Sequence, residues 1–392
     1  MTTTKDVDCT VLPSLLLTTF LLFVWYSCTS ACNIFSKLMI KNVEPTNELD
    51  CAVTLISLSV SQLFLGVVCG GIATGRVKSP VDLLKVDRIQ YEIAEIVPSN
   101  MVVWLSQPST KPEMIAASCH AIGGFCLNLC YLYSSVFIVQ VLKCMEPVAT
   151  MIMSAMFLQE FPSVFLVSSV ITIIIGVALV CFKDSTISMV PVVIAVSSNF
   201  LYPLRNVLGK KSMQLGVDND DEDDNNETKH ILSNHLHENT ETYSSGGIDK
   251  HENPLLEASR GKKSMDAVEV FYRVSFLALY LIFPIFILLM LLNGMYVLQK
   301  FHSDAWMNLG YSGVTHAVYN IASYGVLSRM QSPTTHAVAN VFKRIFTIGS
   351  AMMVFGNTDT KLTVLSYIGL AIASIGLIWY QFELTNNTSE RM

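Results

Sequence analysis

The sequence predicts an all-α polytopic membrane protein in which ten transmembrane helices form two inverted five-helix repeats. The chain has 392 residues, of which 52% are hydrophobic and only 14% are charged, and its mean hydropathy is +0.48. Apolar runs of about 20 residues, the length that crosses a hydrocarbon core, recur along it. Continuous runs of this kind indicate helices, because the strands of a membrane barrel alternate apolar and polar residues.

Each predicted span is an apolar segment bounded by polar or charged residues. The first six spans come before a long polar segment, and the last four follow it. In chain order the spans are predicted at 12–38, 50–74, 113–134, 136–158, 161–182, 187–208, 267–297, 304–328, 333–355 and 362–383.

The polar segment divides the chain. Residues 218–257 carry twelve acidic residues against two basic ones, so the net charge of −6 hides a basic membrane portion. A segment so polar cannot bury enough apolar surface to offset the entropy of ordering it. We therefore expect a first unit at 12–208 (the first repeat plus the sixth helix), a disordered acidic cytosolic loop at 212–263, the remaining helices of the second repeat at 267–383, and a C-terminal tail at 384–392.

Basic residues predict the orientation. An even number of spans places both termini on one side of the membrane, and most of the lysines and arginines between spans fall on that side. Because cytosolic loops are enriched in these residues, we expect both termini and the acidic loop in the cytosol. The N-terminal residues show neither a transit peptide nor a cleavable leader, so the first span is expected to be retained.

Short internal matches suggest the two repeats. The first and sixth spans share the pattern N-x-x-x-K, at Asn33 and Asn206, and the fourth and ninth share "VLK" and "VFK". An odd number of spans per repeat inverts the second repeat in the membrane. Many secondary transporters use this symmetry, with a substrate site near the midplane between the repeats.

Three cations lie deep in predicted spans, where a charge costs about 2.5–3.5 kcal/mol. Lys143 has Glu146 one turn away as a possible partner in its own helix. Lys343 and Arg344 have no acidic residue three or four positions away, and Glu146 and Glu269 are the main acids inside other spans. The interior therefore carries more cation than anion, and we expect the missing partner to be an anionic cargo, with phosphate the anion that Lys and Arg suit best.

Several segments resemble one family. "TTHAVANVFKRIFTIGSAMMVFGN" and "SVFIVQVLKCMEPVATMIMSAMFLQE" resemble the ninth- and fourth-helix signatures of the triose-phosphate translocators, plastid phosphate antiporters of the drug/metabolite transporter superfamily. "LYPLRNVLGKKSM", "WYSCTSACNIFSKLMIK" and "YN" at 319–320 are similar to that family in kind. The resemblance covers nearly all spans and excludes the 212–263 insert.

The resemblance implies roles for individual residues. Lys143, Lys343 and Arg344 match the family's phosphate-binding cations. Tyr319, Arg205 and Tyr202 match residues that line the substrate cavity, and His120 is a further candidate, balanced against ordinary helix packing. Gly124 and Leu127 stand where the family usually has hydrogen-bonding side chains, so the preference among three-carbon compounds stays open.

The implied function is exchange of inorganic phosphate for phosphorylated three-carbon compounds (triose phosphate, phosphoenolpyruvate, 3-phosphoglycerate) by alternating access, with no enzyme activity, cofactor or metal. The alternatives are a nucleotide-sugar transporter of the same superfamily and, more remotely, an integral membrane transferase, for which the chain lacks HxxxxD, GxSxG and HExxH patterns. The expected partners are phosphate substrates and the lipid bilayer, without nucleic acid or an obligatory protein. The family implies a plastid membrane and the acidic insert favours an apicoplast, with the Golgi or endoplasmic reticulum as the alternative.

Overall fold

The computed structural model describes residues 11–79, 96, 111–157, 163–182, 189–208, 267–329, 333–355 and 363–389. Within these ranges the chain is helical apart from short connections, and no strand is present. The predicted all-helical class is therefore confirmed for the described part of the chain. The acidic segment 212–263 and residues 390–392 of the predicted tail 384–392 lie outside the described residues, whereas residues 384–389 continue the last described helix.

The described residues form twelve helices, numbered here in chain order, which follow the predicted spans closely. They are α1 (Val11–Val43), α2 (Glu48–Ala73), α3 (Lys111–Tyr133), α4 (Val136–Lys143), α5 (Glu146–Phe157), α6 (Val164–Phe182), α7 (189–208), α8 (Ala267–Leu289), α9 (Met295–Gln299), α10 (Ser303–Arg329), α11 (Pro333–Phe355) and α12 (Val364–Ser389). A π-helical turn, Met290–Gly294, joins α8 to α9.

The fourth predicted span, 136–158, is interrupted. Helix α4 ends at Lys143 and α5 begins at Glu146, with a turn between them. Pro147 explains the break, because it has no N–H to donate and its ring crowds the carbonyl four residues earlier, which belongs to Lys143. The interruption places Lys143 at the negative end of one helix dipole and Glu146 at the positive end of another, so both charges are stabilised there.

The helix pairs pack closely where glycine allows it. Helix α6 lies against α12, and α1 lies against α10. A Cβ atom on Gly176 would come within 2.4 Å of the backbone nitrogen of Ala373, and one on Gly376 within 2.8 Å of the backbone nitrogen of Ile173. Only glycine permits this approach of α6 and α12, because any side chain would have to displace backbone atoms.

Four of the described helices are long and apolar enough to cross a membrane. These segments are Leu16–Val43, Glu48–Ala73, Pro112–Tyr133 and Ala267–Leu292. Helices α6 and α12 contain shorter apolar segments, Val164–Val180 and Val364–Tyr380. The chain is thus a helical membrane protein, and the ten-span arrangement in two inverted repeats stays a prediction.

Candidate functional site

A cavity lies between helices α1, α3, α4, α5, α7, α10 and α11. The space in it open to the centre of a water-sized sphere is about 50 Å³, several times the roughly 10–15 Å³ that one water needs. Six of the seven site residues predicted from the sequence line it: Lys143, Tyr202, Arg205, Tyr319, Lys343 and Arg344. The fold therefore brings together residues that are up to about 200 positions apart in the chain.

The lining is strongly cationic. Lys143, Lys343, Arg344 and Arg205 face one acidic residue, Glu146, so the ionised side chains of the lining give a net charge of +3. Cations in such a space attract anions, and arginine adds planar donors that match the oxygens of a carboxylate or a phosphate. The surplus of positive charge expected from the sequence is present in the cavity.

The two lysine ammonium groups are held by aromatic rings. Nζ of Lys143 lies 4.3 Å from the ring centroid of Tyr202, and Nζ of Lys343 lies 4.6 Å from that of Trp25. Lys143 is only 2% exposed. Among the described side chains neither ammonium has an ion pair or a hydrogen-bond acceptor, so all their N–H donors remain available to an anion in the cavity.

Arg344 has a protein partner, which corrects the expectation that only cargo balances the Lys343–Arg344 pair. Its Nη2 lies 2.6 Å from Oε2 of Glu146, and its Nη1 donates to Oε1 of Gln140 at 3.1 Å. Both contacts reach across from α11 to the interrupted fourth span. Glu146 therefore pairs with a cation of another helix, and Lys143, one turn away, is not its ion-pair partner among the described side chains.

The other acid considered from the sequence, Glu269, does not reach the cavity. Its Oε1 lies 2.7 Å from Nη2 of Arg76 and 3.5 Å from Nε of Arg273, near the start of α8. Arg273 also approaches Glu113 of α3, at 3.5 Å. This cluster ties the turn after α2 to α3 and α8 and leaves the cation surplus of the cavity unchanged.

Arg205 is fixed by a polar network. Its Nη1 lies 2.9 Å from Nδ1 of His120 and 3.2 Å from Oδ1 of Asn320, and its Nε and Nη2 donate to Oδ1 of Asn206 at 3.2 and 3.0 Å. Four of the five guanidinium donors are thereby engaged, and one remains for the cavity. His120 does not line the cavity; it lies behind Arg205 and stacks on His316, with the ring centroids 5.5 Å apart.

Sequence reasoning missed further polar residues of the lining, among them Thr29, Asn33, Gln140, Asn206 and Asn340. A signal for them exists in the repeat pattern. Asn33 and Asn206 are the asparagines of the two N-x-x-x-K motifs, and Gln140 and Asn340 each stand three residues before a cavity lysine. Leu127 also lines the cavity, whereas a Cβ on Gly124 would meet no atom within 4 Å.

Comparison with known proteins bears on this site. A model of the Triose-phosphate Transporter family matches residues 16–235 and 254–381. The chain is 26% identical over 299 residues to phosphoenolpyruvate/phosphate translocator 2, chloroplastic, from Arabidopsis thaliana, a match that covers 71% of this chain and 64% of that protein. It is 24% identical over 375 residues to the triose phosphate/phosphate translocator, chloroplastic, from Flaveria pringlei, with 93% of this chain and 71% of the relative covered.

A third relative gives a similar picture. Phosphoenolpyruvate/phosphate translocator 1, chloroplastic, from Oryza sativa subsp. japonica is 22% identical over 313 residues, which cover 76% of this chain and 64% of that protein. The matched part of the chain thus spans somewhat less than two thirds of the two phosphoenolpyruvate/phosphate translocators.

Proposed function

The chain belongs to the Triose-phosphate Transporter family, and from this premise we propose that it is a secondary antiporter for phosphate and organic phosphates. The proposed exchange is between inorganic phosphate and phosphorylated three-carbon compounds such as triose phosphate, phosphoenolpyruvate or 3-phosphoglycerate. Relatives named as phosphoenolpyruvate/phosphate and triose phosphate/phosphate translocators support it. So does the chemistry of the cavity, whose cations suit a dianion.

The observation that carries this proposal is the convergence of Lys143, Lys343 and Arg344 on one cavity with a net charge of +3. We assign the phosphoryl group of the substrate to these three residues. The two lysines would supply unpaired ammonium donors, and the guanidinium of Arg344 would supply a planar edge. Charge-assisted hydrogen bonds of this kind are about twice as strong as neutral ones.

We assign the remainder of an organic substrate to the aromatic and polar residues of the same lining. Tyr202 and Tyr319 are among them, and Arg205 presents its remaining donor there while His120 helps to hold it. Leu127 contributes an apolar surface where the family pattern has a hydrogen-bonding group. We therefore expect these residues to distinguish one organic phosphate from another mainly by charge and size, and less by hydrogen bonds to the carbon skeleton.

The lining supports two repeats around this site. Four pairs of corresponding positions, on α1 and α7 and on α4 and α11, line the same cavity. The two positions on each helix are the same number of residues apart as their counterparts on the other helix. The pairs are Thr29 with Tyr202, Asn33 with Asn206, Gln140 with Asn340, and Lys143 with Lys343. Inverted repeats place their corresponding residues around a shared midplane site, so this pairing favours the ten-helix architecture.

The charge of the cavity suggests how exchange is coupled. With a phosphate dianion bound, the net charge of the lining and its ligand falls from +3 to +1. A cavity that closes must lose water, and the cost of burying uncompensated charge is then largest without an anion. Closure and reorientation would thus be favoured only with substrate bound, which gives exchange instead of one-way transport.

We place the protein in a plastid-type membrane, as the chloroplast relatives suggest, and propose an apicoplast membrane as the specific organelle. Both termini and the acidic 212–263 segment, which connects the two halves along the chain, would face the cytosol. The lipid bilayer and phosphate compounds are the partners this assignment requires. Fluorescence co-localisation with organelle markers tests the location, and a Golgi or endoplasmic reticulum pattern would contradict it.

A substrate panel tests the transport proposal. Purified full-length protein is reconstituted into liposomes preloaded with phosphate, and uptake of labelled phosphate is measured against external competitors. We expect three-carbon phosphates to inhibit uptake and to drive efflux of the internal phosphate. Uptake driven by a nucleoside monophosphate, without inhibition by three-carbon phosphates, would instead identify a nucleotide-sugar transporter.

A further inference from the structure

One acidic side chain stands in the wall of a cavity built to attract anions. Glu146 begins α5, directly after the interruption that ends α4 at Lys143. It lines the same cavity as Lys143, Lys343 and Arg344. A carboxylate in this place repels any anion that these cations bind, so its presence needs a physical account.

The carboxylate and its partner are both largely buried. The Glu146 side chain is 14% exposed, the Arg344 side chain is 11% exposed, and Oε2 of the first lies 2.6 Å from Nη2 of the second. Gln140 accepts from the other terminal nitrogen of Arg344 at 3.1 Å. The guanidinium is therefore held against the fourth span by two residues that line the same cavity.

We propose that Glu146 limits the affinity of the cavity for its anion and so allows the anion to leave. This inference rests on the proposed function, because it concerns the same cations. Before an anion binds, the carboxylate partly neutralises Arg344 and fixes its position. Once a dianion is bound, the carboxylate lies close to it and raises its free energy, which speeds release.

The charge balance supports this role. The lining carries +3 with Glu146 ionised and would carry +4 without it, so a bound dianion would leave +1 in the first case and +2 in the second. A lining with a charge of +4 attracts the anion more strongly than one with +3, so the anion leaves more slowly. The difference matters because Coulomb energies in a partly buried site are less screened than in water. An exchanger must bind its substrate and also release it on each side, so a moderate affinity serves turnover.

A purely structural ion pair is the competing explanation, and Glu269 provides the matched control for it. Its pair with Arg76 has a similar length, 2.7 Å, and a similar exposure of the acid, 17%, but Glu269 does not line the cavity. Substitution of either glutamate by glutamine removes one largely buried carboxylate from its arginine partners, Arg344 for Glu146 and Arg76 with Arg273 for Glu269. Only the substitution at 146 changes the charge that a bound anion meets.

The test measures equilibrium binding of inorganic phosphate to the full-length protein in nanodiscs, together with exchange kinetics in liposomes. We expect Glu146→Gln to lower the Kd for phosphate by about tenfold, which corresponds to about 1.4 kcal/mol, and to lower the maximum exchange rate. Glu269→Gln should leave the Kd at the wild-type value. An unchanged or higher Kd in Glu146→Gln, or no phosphate binding by any variant, overturns the proposal.

A second variant does not depend on the folding of the first. Asn340→Asp places an additional carboxylate in the same lining with nearly the same shape, and we expect it to raise the Kd for phosphate by about tenfold. An unchanged Kd there would show that the charge of the lining does not set the affinity, and would overturn the proposal. Binding that follows these expectations without any phosphate exchange by the wild type would contradict the proposed transport function alone.

Discussion

Substitution of Lys143 tests whether this residue binds substrate or stabilises the fold, because the two roles predict different results. The substitution Lys143→Met removes the ammonium but keeps a long, flexible side chain in a site that is only 2% exposed. Among the described side chains no acid pairs with this lysine, so the change leaves no carboxylate without its counter-ion. We expect the variant to lose phosphate binding while it keeps, or gains, stability.

The size of both effects follows from the contacts. A hydrogen bond to a charged group contributes about 1.5–3 kcal/mol, so loss of the ammonium should raise the Kd for phosphate roughly 10- to 150-fold. For stability, the cation–π contact with Tyr202, 4.3 Å from the ring centroid, is lost, at a cost of about 0.5–2 kcal/mol. Removal of the buried charge returns about 2.5–3.5 kcal/mol at most. The difference is a net gain in stability of about 0.5–3 kcal/mol at most.

Two measurements on purified protein check this prediction: the Kd for phosphate in nanodiscs and the midpoint of thermal denaturation in detergent. Lys37→Met is the control, because Nζ of Lys37 donates to the carbonyl oxygens of Tyr131 and Ser134, at 2.8 and 3.0 Å, near the end of α3. The control should lower the denaturation midpoint and keep the Kd. Wild-type affinity in Lys143→Met would refute the assignment of this lysine to the phosphoryl group, and a clear drop in its midpoint would refute the reasoning about its burial.

Two further predictions concern the partner of Arg344 and the packing of α6. Arg344→Leu leaves the buried carboxylate of Glu146 without its guanidinium, so we expect the free energy of unfolding to fall by about 3 kcal/mol and the denaturation midpoint to drop. The double substitution Arg344→Leu with Glu146→Leu should recover most of that stability but not phosphate exchange. If stability does not recover, the ion-pair explanation is contradicted. Gly176→Ala places a Cβ about 2.4 Å from the backbone nitrogen of Ala373 and should lower the denaturation midpoint. Gly124→Ala is the control, because its Cβ would meet no atom within 4 Å, and it should leave the midpoint unchanged. Equal midpoints in the two variants would show that α6 and α12 are less closely packed than the structure has them.

Much of the fold follows from local properties of the sequence. Hydropathy is summed over neighbouring residues, so the positions of the spans were predictable to within a few residues, as α2 and α3 show. The break at Cys144 and Met145 was not predicted, although Pro147 marks it, because apolar residues continue on both sides. The π-helical turn Met290–Gly294 was not predicted either, because apolar residues continue on both sides of it.

The site was predictable in part. Charges inside apolar runs and the family pattern pointed to Lys143, Lys343 and Arg344, and these residues do line one cavity. His120 was a candidate for the cavity, but it lies behind Arg205 and contributes by contact with the guanidinium. Asn33 was noted only as part of a repeat motif and Asn340 was not considered, because a neutral amide within a span does not by itself indicate a binding site.

The sequence by itself determined where the helices lie and that their interior carries more positive than negative charge, since both depend only on which residues stand near each other along the chain. The tertiary structure alone decided how those charges are paired. A partner within one helix must be three or four residues away, but the partner of Arg344 is Glu146, nearly two hundred residues earlier. That contact depends on how α5 and α11 pack, and it turns an apparently unbalanced cation pair into one neutralised arginine beside two lysines that face the cavity.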